Sequence, residues 1–303
     1  MSRPWTAEWS VDAALAARLI GTRFPRFQGA EVRPLGGGWD NTAFLVDGSW
    51  VFRFPRKESA AALLRTECAV LPRLEPHLPL RIPTPVWVSE PQDPFPWPFA
   101  GYALLQGETA CRMHLTPSER RQTAPGLGRF VRALHGLPSD GLPLPPDELQ
   151  RDRFAHRLAA MEERLTVLAR AGVIDNPSPW MGLLEAGAEP TGSPGGGTVV
   201  HGDLYARHLI VATDRTLTGV IDWGDVHLGS PATDLMVAFG FFPPGARADF
   251  FDAYGAVPEE WLSIARRRAA FHAAAVTWYG LESDDPALLA EGRTALAYVL
   301  DRA

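Results

Sequence analysis

Apolar residues recur at helical spacing from Val11 to Ile20, after which the pattern shortens to three runs, EVRPLGGG, NTAFLVDG and SWVFRFPR. Their strand-like composition and the Gly and Asp-Gly turns between them predict an antiparallel meander. From Glu58 to Leu74 the spacing of Ala61, Leu64, Cys68 and Leu71 is again helical. A proline-rich stretch, IPTPVWVSEPQDPFPWP, then leads into the apolar run FAGYALL, read as a further strand. Beyond Gly107 the pattern becomes helical, first in SERRQTAPGLGRFVRALHGL and then in DELQRDRFAHRLAAMEERLTVLARAG, residues 147–172. GAEPTGSPGGG at 187–197 has the composition of a flexible loop, and TVVHGDLYARHLIVATDRTLTGVIDWGD carries two β-branched runs about a turn. Helices are expected near 231–240, 247–256, 258–280 and 286–302. The expected fold class is α+β: an antiparallel-sheet lobe over residues 1–105 and a mainly helical lobe over 106–303, divided at Gln106–Gly107.

Composition agrees with two lobes. A chain of 303 residues is long enough for two cores at about 100 to 200 residues each, and a site between them is expected. The net charge is −6, made of +1 over residues 1–105 and −7 over 106–303. That balance disfavours nucleic acid or an anionic membrane surface as partner, since both demand a basic excess. Cys68 and Cys111 are too few for a disulfide framework, MSRPWTAEWS has no apolar segment of a signal peptide, and no run of 18 apolar residues occurs. A cytoplasmic protein is the expectation.

The chemistry gathers in one segment. His201-Gly202-Asp203 follows a short apolar strand, His208 stands five residues after Asp203, and Asp222 ends the run TLTGVID. No Lys lies near them, and Arg207 and Arg215 are the cations of the segment. Carboxylates so placed repel one another, which a divalent cation or a shared proton relieves.

HGDLYARH, then GVIDWGD and GSPATDL, resembles the aminoglycoside phosphotransferase family, small-molecule kinases with a protein-kinase-like fold. The resemblance extends to Gly36, Gly37, Gly38 and Asn41 in the loop over the phosphates, Arg53 in the following strand and Glu67 in the next helix. It implies a bilobal fold that moves the γ-phosphoryl of ATP or GTP, with Mg²⁺, to a hydroxyl of a small molecule. By that resemblance Asp203 is the catalytic carboxylate, Asp222 and His208 the metal ligands, and Glu67 the partner that fixes Arg53 against the phosphates. Leu104 and Gln106 match the hinge that meets the base. Asp225 is a candidate for the acceptor or the metal's surroundings, and Glu282, Asp284 and Asp285 form a candidate acidic patch for a cationic acceptor such as an aminoglycoside. His201 and Asp234 are read as structural, His135 as a helix-end residue, and the scattered tryptophans as packing.

Two positions depart from the kinase pattern: Arg53 replaces the phosphate-binding Lys and His208 replaces the Asn. Arg keeps the charge with a different shape, in a chain that uses 28 Arg and one Lys, Lys57. His suits Zn, Mn or Fe better than Mg²⁺. Alternatives are therefore a kinase of choline, homoserine or a sugar, a nucleotide-binding regulator without turnover, and a metal-dependent phosphohydrolase built on His201, Asp203, His208 and Asp222.

Overall fold

The computed structural model describes residues 7–187, 189–190 and 197–301, and most of the loop expected over 187–197 lies outside them. The chain opens with helix α1, Ala13–Arg23, whose first turn is capped by the Asp12 carboxylate accepting from Leu15 N–H at 2.7 Å. Strands β1 (Val32–Gly37), β2 (Asn41–Val46) and β3 (Trp50–Pro55) form the expected meander. Helix α2 spans Glu58–Leu74, and strands β4 (Pro85–Val88) and β5 (Ala100–Ala103) complete an antiparallel sheet of order β1-β2-β3-β5-β4. The proline-rich stretch thus supplies an edge strand, where a missing N–H does no harm.

Alternation along β3 decides the chemistry of this lobe. Phe52 and Phe54 point into an aromatic core with Phe27, Phe44, Phe95 and Phe99, in which Phe54 and Phe99 stack at 4.5 Å. Arg53 therefore faces the other way, in register with Ala43 on one side and Ala100 on the other. Toward that face α2 turns a buried stripe of Ala60, Leu64, Glu67, Leu71 and Leu74. A carboxylate in an apolar helical stripe requires a partner, and Arg53 is its partner.

The helical lobe begins with the short strand β6 (Glu108–Thr109) and helix α3 (Pro117–His135), entered through a capping box between Thr116 and Glu119. Helix α4 runs only over Leu158–Arg170, not over the whole of 147–172. Residues 147–154 form a loop because the Asp147 carboxylate caps Arg151 N–H at 2.5 Å and Gln150 adopts φ 48°. Competition of an Asp side chain with the helical ladder is the physical reason the 3.6-residue pattern misleads there. Helix α5 (Ser178–Glu185) follows, then β7 (Thr198–Val200), β8 (Leu209–Val211), β9 (Leu217–Val220) and β10 (His227–Gly229). β7 pairs with β10, and β8 and β9 make the hairpin expected about the turn.

Helices α6 (Ala232–Gly240), α7 (Arg247–Tyr254), α8 (Glu259–Glu282) and α9 (Pro286–Leu300) close the lobe near the expected positions. Small residues let α8 approach its neighbours: Ala265, Ala269, Ala270, Ala273 and Ala274 are buried. Val70, Leu71 and Leu74 of α2, with Ile82, belong to this second core, so α2 is packed into both halves of the molecule. Cys68 and Cys111 are free thiols, as expected. Among the described residues no helix is long and apolar enough to cross a membrane.

Candidate active site

The loop after β7 is shaped by buried polar contacts. Gly202 has φ 88°, and a Cβ there would lie 2.3 Å from Asp225 O, so only glycine lets the loop turn so close to its neighbour. Asp234, wholly buried near the start of α6, accepts from His201 N–H at 2.7 Å and Gly202 N–H at 2.8 Å. His201 donates through Nε2 to Ile221 O at 3.0 Å and accepts Asp203 N–H through Nδ1 at 3.3 Å. This ties the loop to the chain just before Asp222 and holds the ring neutral, as burial also favours by lowering its pKa. His135 does more than end a helix: it joins Asp234 Oδ2 at 3.2 Å to the Tyr254 hydroxyl at 2.9 Å.

Asp203 and Asp222 stand on these two anchored loops, linked by His208. The His208 ring donates from Nδ1 to the Asp203 backbone carbonyl at 2.7 Å, and its Nε2 lies 3.2 Å from Asp222 Oδ2. Asp222 Oδ1 accepts from Arg53 Nη2 at 2.9 Å, while Arg53 Nη1 donates to Glu67 at 2.8 Å. Glu67, Arg53, Asp222 and His208 thus form one continuous chain of charges. Burial opposes the charge of Arg53, yet Glu67 and then Asp222 outweigh it and hold its pKa above the ordinary value. For Asp222, burial is overcome by His208 and Arg53, which keep its pKa well below the carboxylate range. Asp222 sits at φ 64°, a strained position for a residue with a side chain.

Asp203 takes a second partner from the far end of the chain: His272 of α8 donates from Nε2 to Oδ1 at 2.9 Å. The other oxygen, Oδ2, lies 3.7 Å from His208 Nδ1. Burial again opposes ionisation, but the His272 hydrogen bond and the charges of His208 and Arg268 keep the carboxylate well below its usual range. His272 was missed by sequence reasoning because it sits in an alanine-rich helix with no motif around it. Arg151 was missed with the loop that carries it; its guanidinium reaches Asp147 at 2.7 Å and also Asp225. Asp225 is therefore paired, and burial, reinforced by Asp203, raises its pKa.

The glycine loop lies over this cleft. Gly36 and Gly37 end β1 at a register shift, Gly38 N–H donates to Asn41 O at 3.0 Å, and Trp39 meets Tyr279 of α8 edge-on at 5.3 Å. None of Gly36, Gly37 and Gly38 has positive φ, and a Cβ on any of them would have no atom of the described residues within 4 Å. The Asn41 Oδ1 atom is buried without a hydrogen-bond partner among the described residues. Of the residues expected at the hinge, Leu104 donates its N–H to Ser49 O at 2.8 Å and Gln106 O accepts from Thr218 at 3.0 Å. Glu282 and Asp284 are exposed at the turn from α8 to α9, and Asp285 caps α9 at Leu288 N–H, 3.0 Å away. Ten residues separate Glu282 from His272, about 15 Å along the helix.

A sheet lobe over a helical lobe, with paired acidic loops in the cleft and a buried Arg–Glu pair behind them, defines a kinase-like phosphotransferase fold. A family model described as the phosphotransferase enzyme family matches residues 31–272, and the chain belongs to that family. It is 24% identical to uncharacterized protein YcbJ of Bacillus subtilis (strain 168) over 215 residues, 68% of each chain. The fold is similar to that of aminoglycoside 2'-phosphotransferase-IIIa, solved as its GDP complex, with TM-score 0.68 and 22% identity over 96% of this chain and 99% of that one. It is also similar to macrolide 2'-phosphotransferase type I, with TM-score 0.58 and 21% identity over 96% and 98% of the two chains. For macrolide 2'-phosphotransferase MphH of Brachybacterium faecium the values are 0.56 and 24%, over 88% and 91%.

Proposed function

We propose that this protein is a small-molecule kinase that transfers the γ-phosphoryl of ATP or GTP to an acceptor hydroxyl. The observation that carries the reading is the continuous chain Glu67–Arg53–Asp222–His208, which ends beside Asp203. In the proposed reaction the glycine loop and Arg53 hold the phosphates, and Asp203 Oδ2 orients the acceptor hydroxyl. A carboxylate whose pKa is depressed is a weak base, which is enough for a loose transition state that asks mainly for positioning. The hydroxyl proton passes to Asp203 or to solvent as the new O–P bond forms and the nucleoside diphosphate leaves.

The residues fit a divalent cation at one point. Asp222 is a hard oxygen donor, half-exposed, and suits Mg²⁺. Mg²⁺ bound there supplies charge neutralisation between the phosphates. His208 fits the same ion less well, since its Nδ1 is fixed on Asp203 O and imidazole favours softer metals. Its geometry is that of a hydrogen-bonded neighbour that steadies the Asp222 carboxylate. The phosphohydrolase alternative needs His201 as a ligand, and both nitrogens of His201 are taken by backbone groups.

Calorimetry with ATP and GTP in the presence of Mg²⁺ tests the reading. Wild type binds at least one of them, and Asp222→Asn weakens that binding tenfold or more. Failure of both nucleotides to bind overturns it.

A further inference from the structure

Beside the paired arginines of the site stands a group that is not paired. Arg268 is only 7% exposed, and its Nε has no hydrogen-bond partner among the described residues. It lies one helical turn before His272 on α8, hence on the face that reaches Asp203. The next residue on that face, Phe271, carries two more guanidiniums against its ring, Arg157 at 5.0 Å and Arg164 at 4.7 Å. The hydrogen bonds of Arg157 go to the carbonyls of Arg153 and Leu149, at 3.0 and 2.7 Å, so its charge is not neutralised by them. Arg164 Nη1 is buried without a partner.

Among the described residues none of these three arginines forms an ion pair with a carboxylate. Arg151, by contrast, is satisfied by both Asp147 and Asp225. Burial, and then Arg157 and Arg151, push the pKa of Arg268 down to about 10 against the weaker opposing charges of Asp203 and Asp147, so that it is still charged at neutral pH. A guanidinium this nearly buried, whose Nε has no partner among the described residues, is unfavourably placed without a ligand and well suited to an oxyanion.

We propose that Arg268, flanked by Arg157, binds an oxyanion of the phosphoryl acceptor, so that the acceptor is a hydroxyl compound bearing a carboxylate or a phosphate. The inference rests on the phosphotransferase reading above, which places the acceptor hydroxyl at Asp203. One helical turn between Arg268 and His272, about 6 Å, sets the span between the anionic group and the hydroxyl and favours a short molecule.

The test uses the full chain loaded with Mg²⁺ and ADP, to which glycerate, glycerol 3-phosphate, glycerol and kanamycin are titrated. Glycerate or glycerol 3-phosphate binds at least tenfold more tightly than glycerol, and comparison of the two separates a carboxylate site from a phosphate site. Arg268→Gln removes that preference, Arg268→Lys restores part of it, and the affinity for ADP stays within twofold of wild type. Arg268→Gln also raises the melting temperature of the ligand-free protein, because it removes a charge that the empty fold does not satisfy. Tighter binding of glycerol or kanamycin than of both anions, an anion preference untouched by Arg268→Gln, or a lowered melting temperature or failure to fold of that variant overturns the proposal. Loss of ADP binding in wild type instead strikes the phosphotransferase reading itself.

Discussion

The two sides of the cleft are built differently. Toward the sheet lobe every charge is answered: Glu67 by Arg53, Arg53 also by Asp222, and Asp222 also by His208. Toward α8 the count is lopsided, with Asp203 held by His272 while Arg268 and Arg164 keep buried nitrogens without partners among the described residues. A network satisfied before any ligand arrives is preorganised and costs no rearrangement when phosphates bind. An unsatisfied cluster does the opposite and leaves stabilisation to be supplied by its ligand. On the proposed function, the first side is the one that meets the phosphates and the second the one that meets the acceptor.

Substitutions that break this contrast differ in size, and the largest effect belongs to Asp203, the residue shared by the two sides. Asp203→Asn lowers kcat by about 10² to 10⁴, the usual range for a positioned acid–base group, and leaves nucleotide affinity unchanged; single-turnover kinetics beside calorimetry checks both. Next is Arg53→Met, which leaves Glu67 buried with 1% of its side chain exposed and no cation. Removing one partner of such a pair destabilises by about 3–5 kcal/mol. The pH dependence has a definite sign. Burial already pushes the pKa of Glu67 up to about 7 against the opposing effect of Arg53, and the variant raises it further. A group whose folded pKa exceeds its unfolded value stabilises most below the unfolded one and loses that contribution as pH rises through the folded one. Arg53→Met is therefore closest to wild type near pH 4.5 to 5 and falls away through pH 7 and above, measured by urea unfolding across that range.

The phosphate side is also the side that was legible in the sequence. Gly36 to Gly38, Arg53, Glu67, Asp203, His208 and Asp222 are picked out by their resemblance, in order and spacing, to the motifs of a known family, with His201, Asp203, His208 and Asp222 also standing close together in one segment. The alternation of Phe52, Arg53 and Phe54 puts Arg53 on the face opposite the two phenylalanines, beside Val51 and Pro55. The acceptor side was not legible. His272 and Arg268 lie in RRRAAFHAAA, where four-residue spacing on a helix says only that they share a face and not what the face meets. Arg151 and Arg157 sit in and just after a stretch whose helical periodicity was overridden by one Asp side chain bonding its own backbone four residues on. Long-range pairing such as Arg151 with Asp225 or His272 with Asp203 leaves no local trace.

Asp234 tests the anchoring beneath both sides. Its carboxylate is fully buried and takes two backbone N–H groups of the catalytic loop, so Asp234→Ala leaves two buried donors unanswered and destabilises by about 2–4 kcal/mol. Burial raises its pKa but His135 and the loop hydrogen bonds overcome this and lower it. A depressed folded pKa gives stability that is present above the unfolded value and lost as pH falls through the folded one. Wild type therefore loses this contribution below about pH 4, the ordinary carboxylate range, while Asp234→Ala lacks that acid loss; thermal melting between pH 3 and pH 7 compares them.

The smallest effect sharpens the contrast most. His272 reaches Asp203 through Oδ1, and on the proposed function that contact leaves Oδ2 for the acceptor. If it is a positioning residue, His272→Gln, which keeps a donor, costs less than His272→Ala, which leaves Oδ1 to water and lets the carboxylate rotate. The expected losses in kcat are about threefold and about thirtyfold, the latter close to 2 kcal/mol of lost positioning, with KM for nucleotide unchanged in both. A merely structural role for His272 would instead lower the melting temperature in step with the loss of rate, and would lower it for both variants. Separation of rate from stability in the alanine variant, with recovery in the glutamine variant, assigns His272 the positioning of Asp203, as Arg151 positions Asp225.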